Sequence, residues 1–158
     1  MITGFMGTGK TTVGRRVAEL TKRPFVDVDS EIVVRAGKPI PQIFAEDGEA
    51  AFRAMERELC KELSEKTGLV IATGGGMLVD EQNRNLMLAS SFVVCLDANR
   101  ETLAARLRSN SERPLAKSWE AILNSRREAY AAIPTHVNTT NKLPDQIAQE
   151  IIRLWQSA

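Results

Sequence analysis

Eight residues near the start of this chain constrain it more than any others. Gly4-Phe5-Met6-Gly7-Thr8-Gly9-Lys10-Thr11 matches G-x-x-x-x-G-K-[ST] at every position. Glycines let a backbone turn until successive N–H groups point inward as an anion nest, and the helix that follows adds its positive end. Lys10 then reaches the β- and γ-phosphates of a nucleoside triphosphate. The Thr11 hydroxyl is placed to ligate Mg2+, and Gly7, Thr8, Gly9 and Thr12 complete the triphosphate-binding loop. A chance glycine-rich turn is the competing reading, but the motif stands where it should, between a strand stub and an amphipathic helix. Only Met1-Ile2-Thr3 precede it, against ~5–6 residues in an average strand, so the first strand is expected either to be very short or to be cut.

The rest of the chain alternates short β-rich runs with helical periods. Phe25-Val26-Asp27-Val28-Asp29 alternates apolar and acidic residues and predicts a strand with carboxylates at its C-terminal end. Leu69 to Thr73 and Phe92 to Leu96 are continuous apolar runs, the pattern of strands covered on both faces of a parallel sheet, and His136-Val137-Asn138 is a weaker candidate. Helices are expected after the phosphate loop (Val13, Val17 and Leu20 inward), from Glu49 to Lys66, from Asp80 to Leu88 and from Ser118 to Ala132. A last one starts at Pro144 with Ile147, Ile151 and Leu154 buried. The expectation is a single α/β domain over residues 1–158. With 21 basic and 20 acidic residues the net charge is +1, which argues against a nucleic-acid or polybasic membrane binder. No apolar run reaches the ~20 residues of a membrane span, and the start lacks the order of a signal peptide. Cys60 and Cys95 read as isolated core residues of a reducing, cytoplasmic protein, with a bridge as the minor alternative.

GTPases, motors and small-molecule kinases share the phosphate loop, and 158 residues leave little room for motor or switch machinery. A kinase with its acceptor bound nearby is the better fit. Ligands of open parallel sheets sit outside the C-terminal strand ends, where three kinds of group are expected. Asp27 and Asp29, two apart on one strand face, either serve metal-bound water and an acceptor hydroxyl or are solvent-facing acids before a helix capped by Ser30. Thr73-Gly74-Gly75-Gly76 either admits close approach by a ligand or is a plain turn. Arg53 either binds an anion or pairs with Glu49 or Glu56 on its own helix. Arg113, in a polar stretch around 109–118, reads as a lid arginine able to close over the γ-phosphate, and Arg126 either joins the site or is solvated beside Arg127. His136 reads as a strand-end residue rather than a catalyst.

Taken together, the phosphate loop through Gly14, Phe25 to Asp29, Ile43-Phe44-Ala45-Glu46-Asp47-Gly48-Glu49-Ala50-Ala51-Phe52-Arg53, Gly74-Gly75-Gly76, Arg113-Pro114-Leu115 and Arg126-x-x-x-Tyr130 resemble shikimate kinase over essentially the whole chain. The resemblance implies a three-layer, nucleoside-monophosphate-kinase-like sandwich on a five-stranded parallel sheet. It implies transfer of the ATP γ-phosphoryl group to the 3-hydroxyl of shikimate, in chorismate biosynthesis, by a cytoplasmic monomer using Mg2+. Carried over by position, Asp29 would hold the acceptor hydroxyls, and Arg53 and Arg126 the shikimate carboxylate. Gly74, Gly75 and Gly76 would approach the ring, walled by Phe44 and Phe52. Asp27 and Thr73 would orient Mg2+-bound water, Arg113 would be the lid arginine, and Arg106 would lie near adenine. A kinase for another hydroxy or sugar acid such as gluconate, or a kinase-like domain without turnover, are the alternatives.

Overall fold

In a computed structural model that describes residues 1–108 and 118–158, five parallel strands carry eight helices. The strands are β1 (Ile2–Gly4), β2 (Phe25–Asp27), β3 (Val70–Ala72), β4 (Val94–Asp97) and β5 (His136–Asn138). Their order across the sheet is β2-β3-β1-β4-β5, so β1 lies in the middle, with Ile2 opposite both Ala72 and Val94. That register brings the end of β1, and the phosphate loop that follows it, beside the ends of β3 and β4.

Side chains alternate across the sheet and feed two cores, which is why the strand runs are apolar throughout. Val70, Val94, Leu96 and Val137 pack with Val13 and Val17 of α1 (Lys10–Thr21) and Ile147, Ala148 and Ile151 of α8 (Pro144–Gln156). Ile71 and Cys95 face the opposite layer. It includes α2 (Val28–Ala36), α3 (Ile40–Glu46), α4 (Glu49–Ser64), α5 (Glu81–Ser90), α6 (Arg100–Arg108) and α7 (Trp119–Ala131). This is the expected three-layer α/β sandwich. Both cysteines are free and buried, as the composition suggested. Among the described residues no helix is long and apolar enough to cross a membrane.

Several boundaries differ from expectation. The strand beginning at Phe25 ends at Asp27, because the Asp27 carboxylate accepts the Ser30 N–H at 3.1 Å and starts α2 there. Asp27, not Ser30, is therefore the cap, and Asp29 lies in the first helical turn rather than on the strand face of Asp27. Leu20 and Leu154 fall outside the buried stripes, 41% and 38% exposed. Each sits in the last turns of its helix, where the neighbouring layer no longer covers the apolar side. The short α3 and the helix α6 were not foreseen.

These two packing environments on α8 are separable by experiment. Ile151→Ala is expected to lower stability by about 3 kcal/mol, the usual cost of emptying a buried aliphatic site. Leu154→Ala should cost about 0.5 kcal/mol or less, as exposed substitutions do. Chemical denaturation of the two variants measures the difference, and equal losses would mean that α8 is rotated relative to this packing.

Candidate active site

The phosphate loop closes on its own backbone. Gly7 and Gly9 hold positive φ (82° and 94°), conformations that a Cβ would strain. The Phe5 carbonyl collects three donors: the Thr8 N–H at 3.3 Å, the Thr8 hydroxyl at 2.7 Å and Lys10 Nζ at 2.9 Å. Gly9 starts α1, so the helix N-terminus opens directly into the loop. Thr11 Oγ1 donates to Asp27 Oδ2 at 2.7 Å. One carboxylate thus caps α2 with one oxygen and meets the loop threonine with the other. Thr12 is exposed on the next position of α1. Thr73, at the end of β3, is buried and donates to Thr3 Oγ1 at 2.8 Å, which ties the strand before the loop to the strand before the glycines.

Arg106 completes this half. From α6 it donates to the Gly7 carbonyl at 3.1 Å and to Thr139 Oγ1 at 3.2 Å, joining the loop to the residue after β5. Thr139 is fully buried and anchored on the Asp97 carbonyl. Sequence reasoning missed it, since nothing around Asn138-Thr139-Thr140 signals a site. His136 is a strand-end residue, its Nδ1 2.6 Å from Asp97 Oδ2. Cys95 lies in the same group, and burial, reinforced by the Asp97 charge, pushes its thiol up to about 12. Burial thus favours its neutral thiol form at neutral pH.

The other half gathers around the three glycines after β3. A Cβ on Gly74 would collide with Asp29 Oδ1, and one on Gly76 with Arg53 Nη1. A Cβ on Gly75 would sit 3.2 Å from Arg126 Nη1. None of the three has a positive φ. What requires glycine here is room for three side chains of the protein itself, arriving from α2, α4 and α7. The site residues expected at Asp29, Arg53, Arg126 and Gly74–Gly76 are thus brought to one place. Arg126 is only partly exposed, whereas its neighbour Arg127 points to solvent. Phe44 and Phe52 stack beside them, ring centroids 4.9 Å apart and tilted by 42°, with the Arg53 guanidinium 5.4 Å from the Phe52 ring centroid. Arg113 and the lid expected over 109–118 lie, Ser118 apart, outside the described residues.

Arg53 also makes the ion pairs that the helical spacing allowed. Nη1 meets Glu56 at 2.6 Å and Nη2 meets Glu49 at 3.2 Å. The partners differ sharply, since the Glu56 side chain is 2% exposed and that of Glu49 67%. Glu56 Oε1 is the one fully buried side-chain oxygen or nitrogen without a hydrogen-bond partner among the described residues. Burial raises its pKa, Arg53 pulls it back, and the charges of Asp29 and Arg126 are also felt there. Glu56 belongs to this cluster, and its i,i+3 spacing from Arg53 was the only sequence signal.

Comparison with known proteins bears on the chemistry. A family model described as shikimate kinase matches residues 6–156. The shikimate kinase of Pelotomaculum thermopropionicum is 39% identical over 96% of this chain and 92% of its own length. That of Geobacter sulfurreducens is 40% identical over 96% and 87%. Among solved structures, the Acinetobacter baumannii shikimate kinase in complex with shikimate superposes with a TM-score of 0.91 at 35% identity, covering 99% of this chain and 91% of that one. The Aquifex aeolicus shikimate kinase gives 0.87 at 36%, covering 99% and 97%. A gluconokinase from Sinorhizobium meliloti shares the fold, with a TM-score of 0.61 at 18% identity over 99% of this chain and 92% of that one.

Burial of Glu56 has a consequence for pH. An acid whose folded pKa is raised binds more protons folded than unfolded between the two values, so its contribution to stability falls as pH rises through that window. Denaturation midpoints of the parent and Glu56→Gln at about pH 4 and about pH 7, on either side of the ordinary carboxylate value, measure it. The variant is expected to gain on the parent at the higher pH. A parent that gains instead would mean that pairing with Arg53 outweighs burial.

Proposed function

The chain belongs to the shikimate kinase family, and from that premise we propose that it transfers the γ-phosphoryl group of ATP to the 3-hydroxyl of shikimate at the site described above, giving shikimate 3-phosphate and ADP. The observation that carries this reading is the convergence of Asp29, Arg53 and Arg126 on the three glycines, next to a complete phosphate loop. Shikimate is a small ring acid with adjacent hydroxyls. Two guanidinium forks for its carboxylate and one carboxylate for its hydroxyls form the complementary set. Phe44 and Phe52 would wall the ring, and the backbone of Gly74–Gly76 would approach it.

On the ATP side, Gly7 to Thr12 would hold the phosphates with Lys10 on the β- and γ-groups, and Arg106 would lie against the nucleotide. The pair of Thr11 Oγ1 and Asp27 Oδ2, two hard oxygens 2.7 Å apart, suits a small cation with octahedral demands. Mg2+ would be held there, by Thr11 directly and by Asp27 and Thr73 through water, and when bound it neutralises phosphate charge. The acceptor oxygen bonds to the γ-phosphorus as the bond from that phosphorus to the β,γ-bridging oxygen breaks, and ADP leaves with the electron pair. The transition state is loose, so the acceptor proton leaves late. Asp29 acts as a positioner of the hydroxyl first and as proton acceptor second. Arg113 is proposed as the lid arginine over the γ-phosphate. A single-domain, cytoplasmic monomer is the proposed working form.

A coupled ADP-release assay with Mg-ATP and shikimate, quinate or gluconate tests the acceptor. Turnover is expected with shikimate, and a preference for gluconate or no turnover would overturn the assignment. Arg53→Ala should cost about 1.5–3 kcal/mol of acceptor binding, the worth of a charged hydrogen-bonded pair. That is a rise of roughly 10- to 150-fold in the shikimate KM with the ATP KM nearly intact. Equal loss for both substrates would reduce Arg53 to a scaffold of α4. Lys10→Ala should cripple kcat while nucleotide still binds, and unaltered turnover would refute its role.

A further inference from the structure

Tyr130 is the only tyrosine of the chain, and none of the chemistry above uses it. It is buried at the end of α7, yet its hydroxyl reaches 55 positions back in sequence to donate to the Gly75 carbonyl at 2.5 Å. Arg126, one turn earlier on the same helical face, presses its guanidinium against the same glycine. Gly75 is thus clasped by two side chains of α7, one on its carbonyl and one where a Cβ would be.

The clasp matters because of what glycines lack. Three in succession leave a backbone with more freedom than any other tripeptide, and donors on such a backbone bind well only if something fixes them. Anchoring the Gly75 carbonyl fixes the Gly75–Gly76 peptide plane. That peptide is planar and trans, as no cis bond occurs among the described residues, so the Gly76 N–H is turned to the side away from Tyr130. Burial pushes the phenol up to about 12, with Arg126 pulling the other way, so the hydroxyl remains a donor throughout the neutral range.

We propose that Tyr130 is a positioning residue for the acceptor: through the Gly75 carbonyl and the adjacent Arg126 it presets the backbone donors and the guanidinium that receive shikimate. The inference rests on the assignment of Arg126 and the three glycines to the shikimate pocket. It predicts a split between the two substrates, because the Tyr130 hydroxyl bonds the Gly75 carbonyl whereas the phosphate loop is held by its own bonds to the Phe5 carbonyl.

Tyr130→Phe keeps the ring and removes the bond. Steady-state kinetics should show a shikimate KM raised about tenfold, the scale of one hydrogen bond, with kcat and the ATP KM little changed. An unchanged shikimate KM, or an equal rise in both, overturns the proposal. Should the variant fold poorly, the single tyrosine allows a second test. Biosynthetic replacement of tyrosine by 3,5-difluorotyrosine alters position 130 alone, nearly preserves its shape and makes the phenol far more acidic. The shikimate KM of the labelled enzyme should then climb on the alkaline side, where that of the unlabelled enzyme does not, because a phenolate cannot donate to Gly75. Superimposable pH profiles would overturn the proposal. Absence of shikimate turnover in the parent chain would remove the acceptor assignment as well, whereas a parent that turns over beside an unaffected Tyr130→Phe removes this inference alone.

Discussion

No side chain projects from Gly74 to Gly76, where β3 gives way to its following turn, and the charged cluster of the proposed acceptor site is built on that vacancy. Asp29, Arg126 and Arg53 descend from three different helices onto Gly74, Gly75 and Gly76, each against a different glycine. An alanine at position 74 or 76 would meet a charged group at less than contact distance. Packing is what concentrates these charges, and their signs make the concentration tolerable. The cluster of Asp29, Glu56, Arg53 and Arg126 balances two carboxylates against two guanidinium groups, and the charges of the other three reach Glu56.

The ATP half is tied to that cluster through the sheet. β1 lies between β3 and β4, so the loop after Gly4 and the glycines after Ala72 are neighbours by register, before any side chain acts. The buried Thr3–Thr73 hydrogen bond then locks the two strand ends together. Asp27 does the same from β2, its two oxygens shared between the Ser30 N–H and the Thr11 hydroxyl. The phosphate loop and the three glycines are therefore spaced by backbone pairing, while the groups proposed to recognise the acceptor hang from helices.

Legibility in the sequence followed how local each requirement is. The phosphate loop could be read in full because its glycines, lysine and threonine act within eight residues. The apolar runs announced strands covered on both faces for the same reason. Asp29 was put on a strand because Phe25 to Asp29 alternates with period two, and period alone does not reveal that Asp27 turns back to cap a helix. Leu20 and Leu154 keep the helical period of their buried neighbours, but burial depends on where the facing layer ends. The triple glycine was legible as a place of close approach. That the approaching groups are the protein's own Asp29, Arg53 and Arg126 required three long-range contacts that no spacing encodes. Thr139 was hidden on the same account, and so was the contact made by Tyr130, a residue visible only as the end of the Arg126-x-x-x-Tyr130 match; their partners lie 42 and 55 positions away.

Arg53 shows why a bland and a functional reading of one residue need not compete. Its pairs with Glu56 and Glu49 are those that any exposed helical arginine would make, yet the two differ in kind. The bond to Glu56 is short and buried, so breaking it would strand a carboxylate already lacking a partner on its other oxygen. The contact with Glu49 is longer and mostly in water, where an ion pair is worth little. Under the proposed assignment, an incoming carboxylate would exchange with Glu49 at small cost and leave Glu56 holding the guanidinium in place. The helix supplies one buried partner that fixes the arginine and one exposed partner that can yield, so an ordinary i,i+3 and i,i+4 pattern has the preorganisation that the proposed anion site requires.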